Sequence, residues 1–179
     1  MILLALALQT AVTPAITDTP DVRLERCVEL AVGDPSAAQV EASRWVLAGG
    51  GFRAQQCLGR AQTGLKRYDA AAAAFAESAR VASDAKDARA ASFWAQAGNA
   101  WLAAGDAAKA KTALDTALAG SGLIGLALGE AHLDRARALV AAGDSAAARK
   151  DIDAALIDAG EDPLAWLLSA TLARRSGDL

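Results

Sequence analysis

The chain has 179 residues, a formal net charge of −3 and 54% hydrophobic residues, but only 4% aromatic ones. This length allows one ordinary core or one short array of repeats, and the weakly negative charge, without a block of Lys and Arg, argues against nucleic-acid binding. Alanine supplies much of the apolar fraction, and because it favours helices and fills little volume, the composition favours closely stacked helices.

The first predicted segment is an export signal over residues 1–15. Residues 2–8 form a short apolar run, and the small residues Thr13 and Ala15 are suited to cleavage after Ala15. The run is too short to span a bilayer, which takes about 20 apolar residues. A frayed apolar tail or a misplaced start is the alternative, since no Lys or Arg precedes the run. With the signal, the mature protein is periplasmic or secreted and has no integral membrane segment.

A leader and one opening helix pair are predicted next. Residues 16–21 are rich in Thr, Pro and Asp and predict a flexible leader. Residues 22–51 predict an N-terminal capping pair of helices, in which Asp21 caps the first helix and Pro35 begins the second. Three consecutive glycines at 49–51 end the pair, because glycine adopts the left-handed conformation at low cost.

The sequence contains two cysteines, Cys27 and Cys57. Their wide spacing matches neither a C-x-x-C redox motif nor a zinc pattern. In an oxidising compartment we expect one disulfide between them. The alternative is two buried free thiols that act as small apolar residues.

From residue 52 onward, a helix, a tight turn and a second helix recur at a step of roughly 40 residues, which predicts a helical solenoid. Small residues on each first helix let two helices approach closely, and large residues on each second helix fill the space between neighbouring pairs. The small residues are Gly59, Gly98 and Ala136, and the large ones are Phe75, Leu114 and Ile152. The helices are expected near 53–65, 69–82, 88–104, 107–119, 124–142, 145–158 and 163–176.

This pattern resembles the tetratricopeptide repeat, a helix pair of 34 residues. The resemblance covers residues 52–179 and gives three repeats plus the first helix of a fourth. It implies an all-α fold, a right-handed α-solenoid of antiparallel helix pairs. The longer step, and the missing proline at the end of the first two units, depart from the family pattern.

In this family the first helix of each pair lines a concave groove that holds a protein or peptide. The resemblance places five partner-binding candidates in that groove: Gln56, Arg60, Asn99, Arg137 and Arg174. Because a guanidinium can hold a carboxylate at two points, an extended peptide or an acidic segment is the expected guest. The family's carboxylate clamp for chaperone tails is not expected, because Glu130 and Asp134 occupy two of its basic positions.

No catalytic constellation, calcium loop or phosphate loop is present in the sequence. His132 stands where other repeats have tryptophan, so we expect it to be a packing residue, and Asp151 and Asp153 are expected on a polar helix face. We therefore expect no enzyme activity, no catalytic residue, no metal site and no cofactor. Interior packing is also the expected role of Trp94, Trp101 and Trp166.

The sequence thus predicts a non-catalytic scaffold of the cell envelope that binds a protein or an extended peptide through its groove. One alternative is a structural module that forms homo-oligomers through its last helix, whose apolar side, including Trp166 and Leu167, is left uncovered. The other is an accessory domain of a longer protein that continues beyond Leu179.

Overall fold

The computed structural model describes residues 19–176, and in this range the chain forms nine α-helices and no strand. The helices are α1 (Pro20–Gly33), α2 (Pro35–Leu47), α3 (Gly51–Gly64), α4 (Tyr68–Asp84), α5 (Ala90–Ala103), α6 (Ala107–Leu118), α7 (Leu126–Ala141), α8 (Ser145–Asp158) and α9 (Pro163–Ser176). The expected signal over 1–15, most of the leader and residues 177–179 lie outside the described residues.

Each helix packs against the next one along the chain, and further contacts join α1 to α3 and α5 to α7. Contacts confined to near neighbours are the mark of a solenoid, in which each unit rests only on the adjacent ones. The predicted all-α solenoid of helix pairs is therefore confirmed.

The turns inside the second and third repeats follow from local chemistry. Gly105 and Gly143 both have a φ of +82°, a conformation that glycine adopts without strain. Asp106 then accepts a 3.0 Å hydrogen bond from the backbone N–H of Lys109, and Asp144 caps α8 in the same way. Each Gly-Asp pair therefore stops one helix and starts the next.

Helix α1 begins earlier than expected. It starts at Pro20, and the Thr19 hydroxyl accepts the capping hydrogen bond from Val22 N–H at 3.3 Å, so the expectation that Asp21 caps this helix is wrong. Threonine is a good N-cap and proline is preorganised for the first helical position, which favours the earlier start. Asp21 instead pairs with Arg53 of α3 at 2.6 Å.

The close approach of helices within the repeats is confirmed. A Cβ added at Gly59 would lie 2.6 Å from the ring of Phe75, and one at Gly98 would lie 2.4 Å from Leu114 Cγ. In the third repeat, Ala136 and Ile152 are both fully buried in one apolar cluster. The large side chains of the second helices therefore occupy the space that the small residues leave open.

A disulfide fixes the opening pair to the first repeat, as expected. It joins Cys27 of α1 to Cys57 of α3, with 5.8 Å between their Cα atoms. Both residues are buried and pack in one cluster with Trp45 and Ala54. The bond therefore ties α1 to the start of the repeat array.

The tryptophans fit the expected interior role only in part. Trp94 and Trp101 are half-buried and pack against two apolar clusters. For Trp166 the expectation is wrong, because its side chain is 58% exposed and its indole N–H donates to the carbonyl of Gly160 at 2.7 Å. Leu167 is also exposed, so α9 does leave part of its apolar side uncovered.

Candidate partner-binding groove

A cavity of about 260 Å³ lies between the first helices of the three repeats, α3, α5 and α7. We call it the central groove. Its polar lining consists mainly of Arg60, Tyr68, Gln96, Asn99, Glu130 and Asp134.

Helical periodicity explains how these side chains come to share one surface. On α5, Ser92, Gln96 and Asn99 follow one another at intervals of three and four residues, which places them on one face. Phe93 and Ala97 lie on other faces of the same helix and are buried. The core therefore holds α5 so that its polar face is turned to the groove.

Two of the predicted partner-binding residues are tied to one carboxylate. Asn99 Nδ2 donates to Asp134 Oδ2 at 2.7 Å, and Arg137 Nη1 donates to Asp134 Oδ1 at 2.8 Å. The Asp134 carboxylate thus links α5 to α7 and neutralises Arg137. Arg137 is therefore already paired, and an incoming acidic segment would have to compete with Asp134 for it.

Arg60 is differently placed. Its side chain is exposed at the α3 side of the central groove, and its guanidinium carbon lies 5.9 Å from the centroid of the Phe75 ring. Within residues 19–176 it forms no ion pair. Arg60 therefore keeps its charge and its donors available for a bound group.

Gln96 of α5 is part of the groove lining. Its Nε2 donates to the carbonyl and the hydroxyl of Ser92, both at 3.3 Å. Its Oε1 is buried and has no hydrogen-bond partner in the described part of the chain. A buried acceptor without a partner costs free energy, and because this oxygen is enclosed by protein atoms it is not a contact point for a guest.

Three of the five candidates, Gln56, Arg137 and Arg174, do not line the central groove. Gln56 is half-buried on α3, and Arg174 is exposed on α9. Their role in partner binding stays a prediction. Sequence reasoning did not select Tyr68 and Gln96, although Gln96 lies one helical turn from Asn99 and could have been found from that spacing.

A second polar cluster lies away from the groove and joins α6, α7 and α8. Asp151, only 4% exposed, accepts hydrogen bonds from Arg135 at 2.7 and 2.6 Å, and its Oδ1 lies 3.0 Å from His132 Nδ1. Arg135 also reaches Asp115 at 3.1 Å. Burial raises the pKa of Asp151, but the hydrogen bonds from Arg135 and His132 outweigh it and hold this pKa below its usual value.

This cluster corrects two expectations from the sequence. His132 is more than a packing residue, because it lies within hydrogen-bond distance of a carboxylate. Asp151 does not lie on a solvated face, whereas Asp153 is exposed as expected. The available signal was the spacing of His132 and Arg135 by one helical turn, which places two polar side chains on one face of α7.

No family model matches the chain, and no curated protein matches its sequence. Within residues 19–176, no helix is long and apolar enough to cross a membrane. The same stretch contains no group of three His, Cys, Asp or Glu side chains placed to hold a metal ion.

Proposed function

We propose that this protein is a non-catalytic scaffold of the tetratricopeptide type that binds an extended peptide or a segment of another protein in its central groove. The observation that carries the proposal is the contribution of three successive first helices to one cavity. A stack of rigid helix pairs presents such a surface without rearrangement, which lowers the entropic cost of binding.

The lining of the groove suits a peptide. Ala95, Ala103 and Ala127 provide apolar contact area, while Arg60 and Asn99 provide exposed hydrogen-bonding groups for a guest. A mainly apolar site with a few placed polar groups is the usual composition of a binding pocket.

Selection from a random peptide display library tests the proposal. Peptides are selected on the wild-type protein and then measured on two variants, Ala127→Trp and Ala146→Trp. Ala127 and Ala146 are both exposed, and each is the second residue of its helix, α7 and α8 respectively. Only Ala127 lines the groove, so an indole there fills the cavity while the control leaves it open.

We expect Ala127→Trp to weaken the selected peptides at least tenfold, which is about 1.4 kcal/mol, and Ala146→Trp to leave them unchanged. Both variants should unfold at the urea concentration of the wild type, which separates blocking from misfolding. Equal binding by the two variants, or no selected peptide at all, contradicts a peptide-binding groove.

We also propose export to an oxidising compartment. The support is the buried Cys27–Cys57 disulfide, because such bonds persist in secreted and periplasmic proteins and are rare in the cytosol. Expression of the full sequence with a C-terminal tag, followed by cell fractionation, tests this. Loss of residues 1–15 and recovery outside the cytoplasm are expected, and an uncleaved cytoplasmic chain with free thiols contradicts it.

Self-association through α9 is the second candidate, favoured by exposed apolar residues on that helix. Trp166 and Leu167 are 58% and 62% exposed. Light scattering across a concentration series measures the mass, and Leu167→Glu should shift any dimer to monomer. A wild-type protein that remains monomeric at all concentrations rules out this alternative.

A further inference from the structure

We infer that the central groove selects peptides that carry a basic side chain and an acidic side chain at opposite ends of the bound segment. This inference rests on the proposed function and adds the charge pattern of the guest to it.

The charges that remain after internal pairing are of opposite sign and lie on opposite sides of the groove. Asp134 and Arg137 neutralise each other. On the α3 side, Arg60 is exposed and forms no ion pair with the described residues, and on the α7 side Glu130 is exposed and likewise unpaired within residues 19–176. The groove is therefore positive at one side and negative at the other.

A guest of uniform charge does not fit this arrangement. An acidic segment gains from Arg60 but meets Glu130, and a basic segment has the reverse difficulty. A guest with both charges satisfies both sides, and complementary charges of this kind fix the register of a bound chain.

The spacing of the charges follows from helix packing. Packed helices lie about 8–10 Å apart. Helix α5 packs against α7, and α3 is connected to α5 mainly through α4, so the two sides of the groove lie roughly 20 Å apart. An extended chain covers about 3.3 Å per residue, which places the two guest charges about six residues apart.

Each ion pair is solvent-exposed, so the expected effect is selectivity and not high affinity. Exposed pairs change binding by about two- to fivefold each. A peptide with both charges should therefore bind about four- to twenty-fivefold more tightly than its neutral counterpart, and the difference should shrink as salt is added.

The test repeats the random-library selection on the wild type, on Glu130→Lys and on Arg60→Glu. The wild type should enrich peptides with one Lys or Arg and one Asp or Glu about six residues apart. Glu130→Lys should enrich peptides with two acidic residues at that spacing, and Arg60→Glu peptides with two basic residues. Glu25→Lys, a charge reversal at an exposed residue of α1 outside the groove, serves as the control and should select like the wild type.

Synthetic peptides then give the magnitudes by calorimetry: one mixed, one all-acidic, one all-basic and one neutral. A reversal of the preferred peptide between wild type and Glu130→Lys supports the inference. If Ala127→Trp excludes the selected peptides but these peptides share no charge pattern, the inference is overturned and the proposed function still stands. Failure to select any groove-dependent peptide overturns both, so the two failures are distinguishable.

Discussion

Replacement of Gly98 by alanine tests how closely α5 and α6 must approach. A Cβ at this position would lie 2.4 Å from Leu114 Cγ and 2.9 Å from its Cδ2. Ordinary contacts between carbon atoms are about 3.5–4.0 Å. Leu114 is fully buried among packed neighbours, so it cannot move aside without displacing them.

Two effects of opposite sign set the magnitude. Alanine is favoured over glycine in a helix by about 1 kcal/mol, and overpacking of a dense core costs about 1–3 kcal/mol. The contact distance at Gly98 indicates the upper part of that range. We therefore expect Gly98→Ala to lower the free energy of unfolding by about 1–2 kcal/mol.

Urea unfolding followed by circular dichroism measures this change, with Gly33→Ala as the matched control. A Cβ at Gly33 meets nothing within 4 Å, so that variant should be neutral or stabilised by up to about 1 kcal/mol. In the double variant Gly98→Ala with Leu114→Ala, the new methyl group enters the vacated space, and the pair should be about 0.5–3 kcal/mol more stable than the sum of the single changes. An unchanged or stabilised Gly98→Ala, together with additive effects, would refute the close-packing explanation.

Two further predictions concern the other links between helices. Loss of the Cys27–Cys57 bond, by reductant or by serine at both positions, should lower the free energy of unfolding by about 3–4 kcal/mol in the chain-entropy model. Urea titrations with and without reductant measure this change, and equal unfolding midpoints would contradict it. Replacement of Asp151 by Asn should cost about 3 kcal/mol at neutral pH, because it leaves the cation of Arg135 with a weakened partner. Since the pKa of Asp151 in the folded protein lies below its usual value, its contribution to stability is present above about pH 4 and is lost as the pH falls through the folded pKa. The stability of the Asn variant should therefore depend less on pH in this acidic range than that of the wild type. An equally steep dependence would contradict this.

The features that sequence reasoning predicted correctly depend on local chemistry. The turns after α5 and α7 were identified because Gly105 and Gly143 precede capping aspartates, and such signals need no knowledge of the fold. The groove positions of Arg60 and Asn99 were found because helical phase alone decides which face a residue occupies.

The features that sequence reasoning missed depend on how far neighbouring helices are offset along their axes. The bond from Asn99 to Asp134 and the burial of Asp151 against Arg135 each join residues on different helices. Periodicity gives the face of a residue but not its height relative to the next helix. For this reason, the sequence indicated Arg137 as a partner-binding candidate but did not indicate its ion pair with Asp134.

Stability and binding are linked in this fold through the position of α5. Gly98 packs toward Leu114 on α6, while Gln96 and Asn99 on the same helix line the groove. Because packed neighbours hold Leu114 in place, we expect a methyl group at Gly98 to push α5 away from α6 and so alter the cavity between α3, α5 and α7. The loss of about 1–2 kcal/mol leaves a domain of ordinary stability folded, so unfolding alone would not reduce peptide affinity. We therefore expect Gly98→Ala to weaken groove-selected peptides by more than twofold, while Gly33→Ala binds them as the wild type does. Calorimetry on both variants measures this difference, and equal affinities would show that the groove tolerates a displaced α5.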